Sequence, residues 1–201
     1  MKIIKVFDMV LLKFKFELLD SIPQFPFRTH FNSFTNDYFN IQEISKYWII
    51  AQDKLNLDNK VKLLKTHHAR CVYMKREFTN TENTLATIYI VRDPRNVILS
   101  MSNHFGTSQE ENFKTITNER HIVYSTVNYQ IIPATFIGSW NFHYLSWKNF
   151  NSINKVIIRY EDLINNTEDT FKKIINFLSK LTKIKYNEEK LVHSVNSTQF
   201  K

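Results

Sequence analysis

Three short apolar runs punctuate the chain, and each stops at a cluster of polar residues. KVKLLKT (60–66) ends on Lys65-Thr66-His67-His68, ATIYIV (86–91) on Arg92-Asp93, and KVIIRY (155–160) on Tyr160-Glu161-Asp162. The middle run is continuous rather than alternating, as in a strand buried on both faces of a parallel sheet. Helical periodicity fills the intervals. Ile44, Trp48, Ala51 and Leu55 recur at helical spacing in 41–55. Val97, Ile98, Met101 and Phe105 form a stripe after Asp93-Pro94, an N-cap and first-turn pair, and Gly106 ends that helix. After Thr167-Glu168-Asp169, residues Phe171, Ile174, Ile175, Leu178 and Leu181 share one face. Strands alternating with helices predict an α/β fold, a mainly parallel sheet flanked by helices in one domain.

The other segments are less regular. Residues 1–20 read as an amphipathic helix, and 21–36, with Pro23 and Pro26, as an irregular loop. Residues 107–133 are polar and poorly periodic, which predicts loop or helical-hairpin structure forming a lid on the acceptor side. A helix is expected over about 135–150.

Composition narrows the function classes. Lys and Arg number 27 against 19 Asp and Glu, a formal charge of +8, so the surface favours anionic partners: nucleic acid, anionic lipid, or a phosphate- or sulfate-bearing small molecule. A basic, non-catalytic protein binding nucleic acid or an anionic surface is one reading, and it predicts salt-dependent binding to arbitrary duplex. No clustered basic stripe supports it. Only 2 glycines occur in 201 residues, which excludes both the Walker-type loop and the G-x-G-x-x-G turn. The single cysteine, Cys71, excludes an internal disulfide and fits the reducing cytoplasm. Lys5, Asp8, Lys13, Lys15 and Glu17 interrupt the apolar residues near the N-terminus, so neither a membrane span nor a signal peptide is expected. No metal-ligand pattern is evident.

Ligands of open α/β sheets bind beyond the carboxyl ends of the strands, where the three polar clusters would gather. Arg92 and Ser100 are eight positions apart, at a strand end and on the second turn of the next helix. Both could face one phosphate, with the helix N-terminus adding positive potential. The competing reading pairs Arg92 with Asp93 or Glu161 and leaves Ser100 a surface serine. Lys65 and His67, two apart at a strand end, point the same way in extended geometry. An imidazole suits proton abstraction near working pH, and an ammonium suits developing negative charge. On chemistry alone His68 is an equal candidate for the base. Tyr160 reads either as a ligand contact or as a core tyrosine capping the sheet. Trp140, His143 and Trp147 recur at helical spacing and read as core.

KTHHA (65–69), IYIVRDPRNVILSMSNHFG (88–106), GSWNFHYLSW (138–147) and IRYEDL (158–163) resemble, in order and spacing, the blocks of sulfotransferases that use 3′-phosphoadenosine 5′-phosphosulfate (PAPS), and most of all the bacterial sulfotransferase-domain branch. The resemblance implies a P-loop nucleotide-kinase-like fold and transfer of a sulfuryl group to a hydroxyl or amine on a small-molecule or glycan acceptor. It implies His67 as general base and Lys65 as the cation at the leaving group. Arg92 and Ser100 would hold the 3′-phosphate, with Thr66 and Tyr160 completing the donor site. It also favours His67 over His68, although His68-Ala69 stand where that block often continues into proline.

Two family segments have no counterpart. No Pro-Lys-Ser-Gly-Thr type loop precedes Lys65, and no Arg-Lys-Gly-x-x-Gly-Asp-Trp type segment follows the last matched block. The expectation is therefore a single, partial domain over 1–201 with a matched core of about 63–181, truncated at both ends. It would lack the family's first strand, leave a gap in the sheet, and have an impaired or inactive donor site.

Overall fold

The computed structural model describes residues 3–8, 22–127, 130–182 and 187–197. The chain begins with β1 (Ile3–Asp8), followed by α1 (Ile41–Ile44), α2 (Trp48–Asn56), β2 (Lys62–Thr66), and the short strands β3 (Val72–Tyr73) and β4 (Arg76–Glu77). Next come β5 (Thr84–Val91), α3 (Pro94–Phe105), α4 (Gln109–Thr117), β6 (Ile122–Val127) and β7 (Gln130–Phe136). The last third is α5 (Trp140–Lys148), β8 (Asn154–Arg159), α6 (Tyr160–Asn165), α7 (Thr167–Leu181) and α8 (Glu188–Ser197). Four strands form one sheet in the order β2-β1-β5-β8, with every neighbouring pair parallel.

The first strand is present, which corrects the expectation of a gap. IIKVFD, expected to lie in a helix, is the inner strand β1, in register with β2 on one side (Phe7 opposite Thr66) and β5 on the other (Phe7 opposite Tyr89). Pairing along both edges decides a six-residue segment whose Ile and Val already favour extended backbone. Residues 9–20, the rest of the expected helix, lie outside the described residues. The free side of β2 is also covered in part. Lys65 N donates to Pro23 O at 2.9 Å and Phe25 N to Lys65 O at 2.8 Å, so the proline-bearing loop extends the sheet where an edge would be bare.

Side-chain alternation along β5 feeds two cores. Ala86 and Ile88, with Val156 and Ile158 of β8, pack against Leu163 of α6 and Ile174, Phe177, Leu178 and Leu181 of α7. Phe171, expected on that face, is exposed, and Phe177 packs there instead. On the other side Tyr89 and Leu64 join Phe25, Trp48, Phe78 and Trp147 in the larger core. Fully burying a side chain such as Ile88 contributes roughly 1.5–3 kcal/mol, so this two-sided burial is what places β5 inside the sheet.

Two regions differ from the sequence reading. Residues 107–133 hold α4, capped by Ser108 and Glu111 in a reciprocal box, and then most of an antiparallel hairpin, β6 with β7. The helix expected from about 135 starts at Trp140, because β7 runs to Phe136 and the chain turns at Gly138. Gly138 has φ +67, and a Cβ there would lie 2.6 Å from the Phe142 ring, so glycine is required both by the turn and by the close approach. Ser139 then caps α5, accepting from Phe142 N at 3.2 Å.

Candidate active site

All four strands are parallel, so their carboxyl ends lie on one side of the sheet. Thr66 of β2 and Tyr89 of β5 both stand opposite Phe7 of β1, which sets them two strand spacings apart, about 10 Å. The Lys65–His68 turn and Arg92 thus flank the end of β1.

On the β5 side, Asp93 caps α3 by accepting from Arg95 N at 2.9 Å, and Pro94 occupies the first turn. Asp93 is held further by the Arg95 guanidinium, which keeps its carboxyl down at about 2. Glu161, in the first turn of α6, accepts from Asp93 N at 3.1 Å and lies 3.9 Å from Arg159. Both carboxylates proposed as partners of Arg92 are therefore engaged elsewhere. Arg92 stacks over the Tyr160 ring at 4.5 Å, and its Nε is buried without a hydrogen-bond partner among the described residues. Tyr160 opens α6 rather than closing β8. Ser100 is half-buried on the second turn of α3.

On the β2 side the two adjacent histidines separate cleanly. His68 is 0% exposed, stacked on Phe78 at 3.9 Å and edge-on to Trp48, with its Nδ1 donating to Ala69 O at 2.7 Å. His67 and Lys65 are half-buried, so of the two imidazoles His67 is the one within reach of solvent. Thr66 is fully buried, and its hydroxyl accepts from His68 N at 3.2 Å, shaping the turn from inside.

Helix α5 grips this turn through several side chains. Trp147 Nε1 donates to His68 O at 3.0 Å, His143 Nε2 donates to His67 O at 3.3 Å, and Arg70 N donates to Ser146 Oγ at 3.0 Å. Tyr89 O–H donates to His143 Nδ1 at 3.0 Å. His143 and Trp147 are core residues, as the spacing suggests, yet both also bond the backbone of the turn. The sequence reading missed that second role. The available signal was a nitrogen-bearing ring facing a tyrosine-bearing strand in an otherwise apolar stripe.

Burial holds His143 neutral, its pKa brought down to about 3, and lowers His30 to about 4. An unfolded histidine titrates near ~6.5, so between that value and pH 4 the unfolded chain binds more protons than the folded one. Stability contributed by these neutral rings is complete above ~6.5 and is lost as pH falls. Urea unfolding is therefore expected to show stability falling from pH 7 to pH 4, with a shallower slope in His143→Gln. An identical slope in that variant counts against the assignment.

The family described as "Sulfotransferase domain" matches residues 13–201. Among curated relatives, a 3-alpha-hydroxysteroid sulfotransferase of Cavia porcellus is 31% identical over 114 residues, 56% of this chain and 37% of the relative. Sulfotransferase 2A1 of Rattus norvegicus is 28% identical over 156 residues, 76% of this chain and 51% of the relative. The chain thus spans about half the length, or less, of these relatives. A crystal structure of mouse sulfotransferase SULT7A1 complexed with PAP superimposes with a TM-score of 0.50 at 22% identity, covering 73% of this chain and 50% of that one, and shows the shared fold. Since the match takes in every element from α1 to α8 and the parallel sheet agrees with it, the chain belongs to the sulfotransferase domain family.

Proposed function

We propose that this chain binds PAPS at the carboxyl end of its sheet and transfers the sulfuryl group to a hydroxyl or amine of a small-molecule acceptor. The observation that carries this reading is Arg92. It is a guanidinium at a strand end, beside the N-terminus of α3, with a buried nitrogen unpartnered and both neighbouring carboxylates engaged elsewhere. Such an arrangement suits a phosphate, because the cation's capacity is unspent and the helix terminus adds to it.

Bound there, the donor supplies an electrophilic sulfuryl group. Arg92 and Ser100 would hold the 3′-phosphate, with the Tyr160 ring stacked against Arg92 and orienting it. Across β1, at the end of β2, His67 would take the acceptor's proton on its ring as the acceptor oxygen or nitrogen bonds to sulfur, and Lys65 would oppose the charge that develops as the bond to the nucleotide breaks. Thr66 contributes by shaping the turn that carries both. With no Lys-Ser-Gly type loop before Lys65, some leaving-group donors of the family are missing, each a factor on the order of 10²–10³ in rate. The expected turnover is accordingly slow. A hydroxysteroid is a reasonable first acceptor, given the activity for which the guinea-pig relative is named. A cytoplasmic setting suits a chain whose only cysteine is buried, with its thiol pushed up to about 12.

Incubating the chain with PAPS and a panel of 3α-hydroxysteroid, phenol and amine acceptors should yield a sulfated product by mass spectrometry. Titration calorimetry with 3′-phosphoadenosine 5′-phosphate (PAP) should show saturable binding. The absence of both sulfated product and PAP binding would refute the proposal.

A further inference from the structure

We propose that His143 is a positioning residue for the His67 imidazole, because its ring bridges the Tyr89 hydroxyl on β5 and the His67 carbonyl on the turn after β2. The inference rests on His67 being the base, and it concerns what holds that base in place. A carbonyl oxygen only accepts, so the 3.3 Å contact requires a proton on His143 Nε2. That leaves Nδ1 as the acceptor of the Tyr89 hydroxyl at 3.0 Å. The direction of every bond in the chain Tyr89 to His143 to His67 is therefore determined. Burial that holds His143 neutral keeps this tautomer in place across the working pH range.

The bridge joins the two halves of the site. Tyr89 lies three residues before Arg92 on the strand that ends at the phosphate-binding position, and His67 lies on the turn across β1. A side chain that only filled space in α5 would need neither bond. Trp147, on the same face of α5, holds the next carbonyl, that of His68. Loss of the His143 bond thus leaves the His68 carbonyl anchored and removes one constraint at the residue that carries the base. Since misplacement of a reacting group by about 1 Å costs on the order of 10²-fold in rate, this local freedom is enough to matter.

The test uses Tyr89→Phe, which removes one oxygen and keeps the ring, together with His143→Phe and His143→Gln, whose amide can again donate to the carbonyl. The His67 Cε1–H resonance is read by 1H–13C NMR and assigned from its loss in His67→Asn. It is expected to shift in His143→Phe, to shift less in Tyr89→Phe, and to return toward the wild-type position in His143→Gln, while those of His104 and His193 stay. A His67 resonance unmoved in folded Tyr89→Phe and His143→Phe overturns the proposal, as does a His143→Gln spectrum matching that of His143→Phe. In the sulfation assay His143→Phe should lower kcat roughly 10- to 100-fold at unchanged KM for PAPS. An unchanged kcat overturns it equally. PAP binding by the wild-type chain tests the functional reading separately, because the resonance decides the role of His143 whether or not the nucleotide binds.

Discussion

Arg92→Ala should weaken PAP binding by at least 100-fold while leaving the fold intact. The guanidinium makes no ion pair among the described residues, since Asp93 is held by Arg95 and Glu161 accepts from the Asp93 amide. Removing it therefore orphans no carboxylate, and the usual destabilisation that follows a broken buried pair is absent. What is lost is the set of charge-assisted hydrogen bonds to the phosphate, each roughly 1.5–3 kcal/mol. Two such bonds convert to a loss of about 10²- to 10⁴-fold. Arg92→Lys should recover only part, because an ammonium cannot make the paired contact of the planar fork or stack as well on Tyr160. Titration calorimetry with PAP, alongside thermal unfolding, reads both quantities. Equal affinity in Arg92→Ala and wild type removes the 3′-phosphate assignment. Running the same series against duplex DNA at two salt concentrations separates a shaped phosphate site from general basic attraction, which would fall steeply with salt and barely respond to one arginine.

The parts of this site legible in the sequence are those whose signals are local. The continuous run of β5, the Asp93-Pro94 start of α3 and its Gly106 stop all sit where the pattern placed them, because an N-cap, a first-turn proline and a left-handed glycine at φ +68 act within a turn of the chain. β1 was misread for the opposite reason. Its six residues carry too short a pattern to separate strand from helix, and the decision comes from β2 and β5, more than 50 residues away in sequence. The same holds for β6 and β7, which are stabilised by each other and by Ala134 N donating to Tyr38 O, a contact that spacing along the hairpin does not encode. At the site itself, chemistry alone left His67 and His68 equivalent, and burial separated them. Phe78 stacks on His68, and it arrives from the loop after β4. The Tyr89–His143–His67 chain joins three distant elements and could not be read from any one of them.

That separation sets up the second large effect. His67→Asn should reduce sulfuryl transfer by roughly 10²- to 10⁴-fold, the usual contribution of a placed general base, and leave PAP affinity unchanged, since His67 and Arg92 stand on opposite sides of β1. Asparagine keeps the size and polarity of the position, so a fall in rate reports the lost base rather than a collapsed turn. His68→Phe supplies the contrast. Its ring would keep the stack on Phe78 but lose the bond from Nδ1 to Ala69 O, so the expected loss is about 1 kcal/mol of stability, seen as a lower unfolding midpoint. Turnover per folded molecule should survive in that variant. Rates of product formation, normalised to the folded fraction, compare the two directly. If His68→Phe abolishes transfer and His67→Asn does not, the base has been assigned to the wrong histidine. If both retain it, abstraction of the acceptor proton does not depend on this turn. The expected pattern, with transfer lost at the half-buried ring and stability lost at the buried one, follows from a single difference in packing between adjacent residues of the same type.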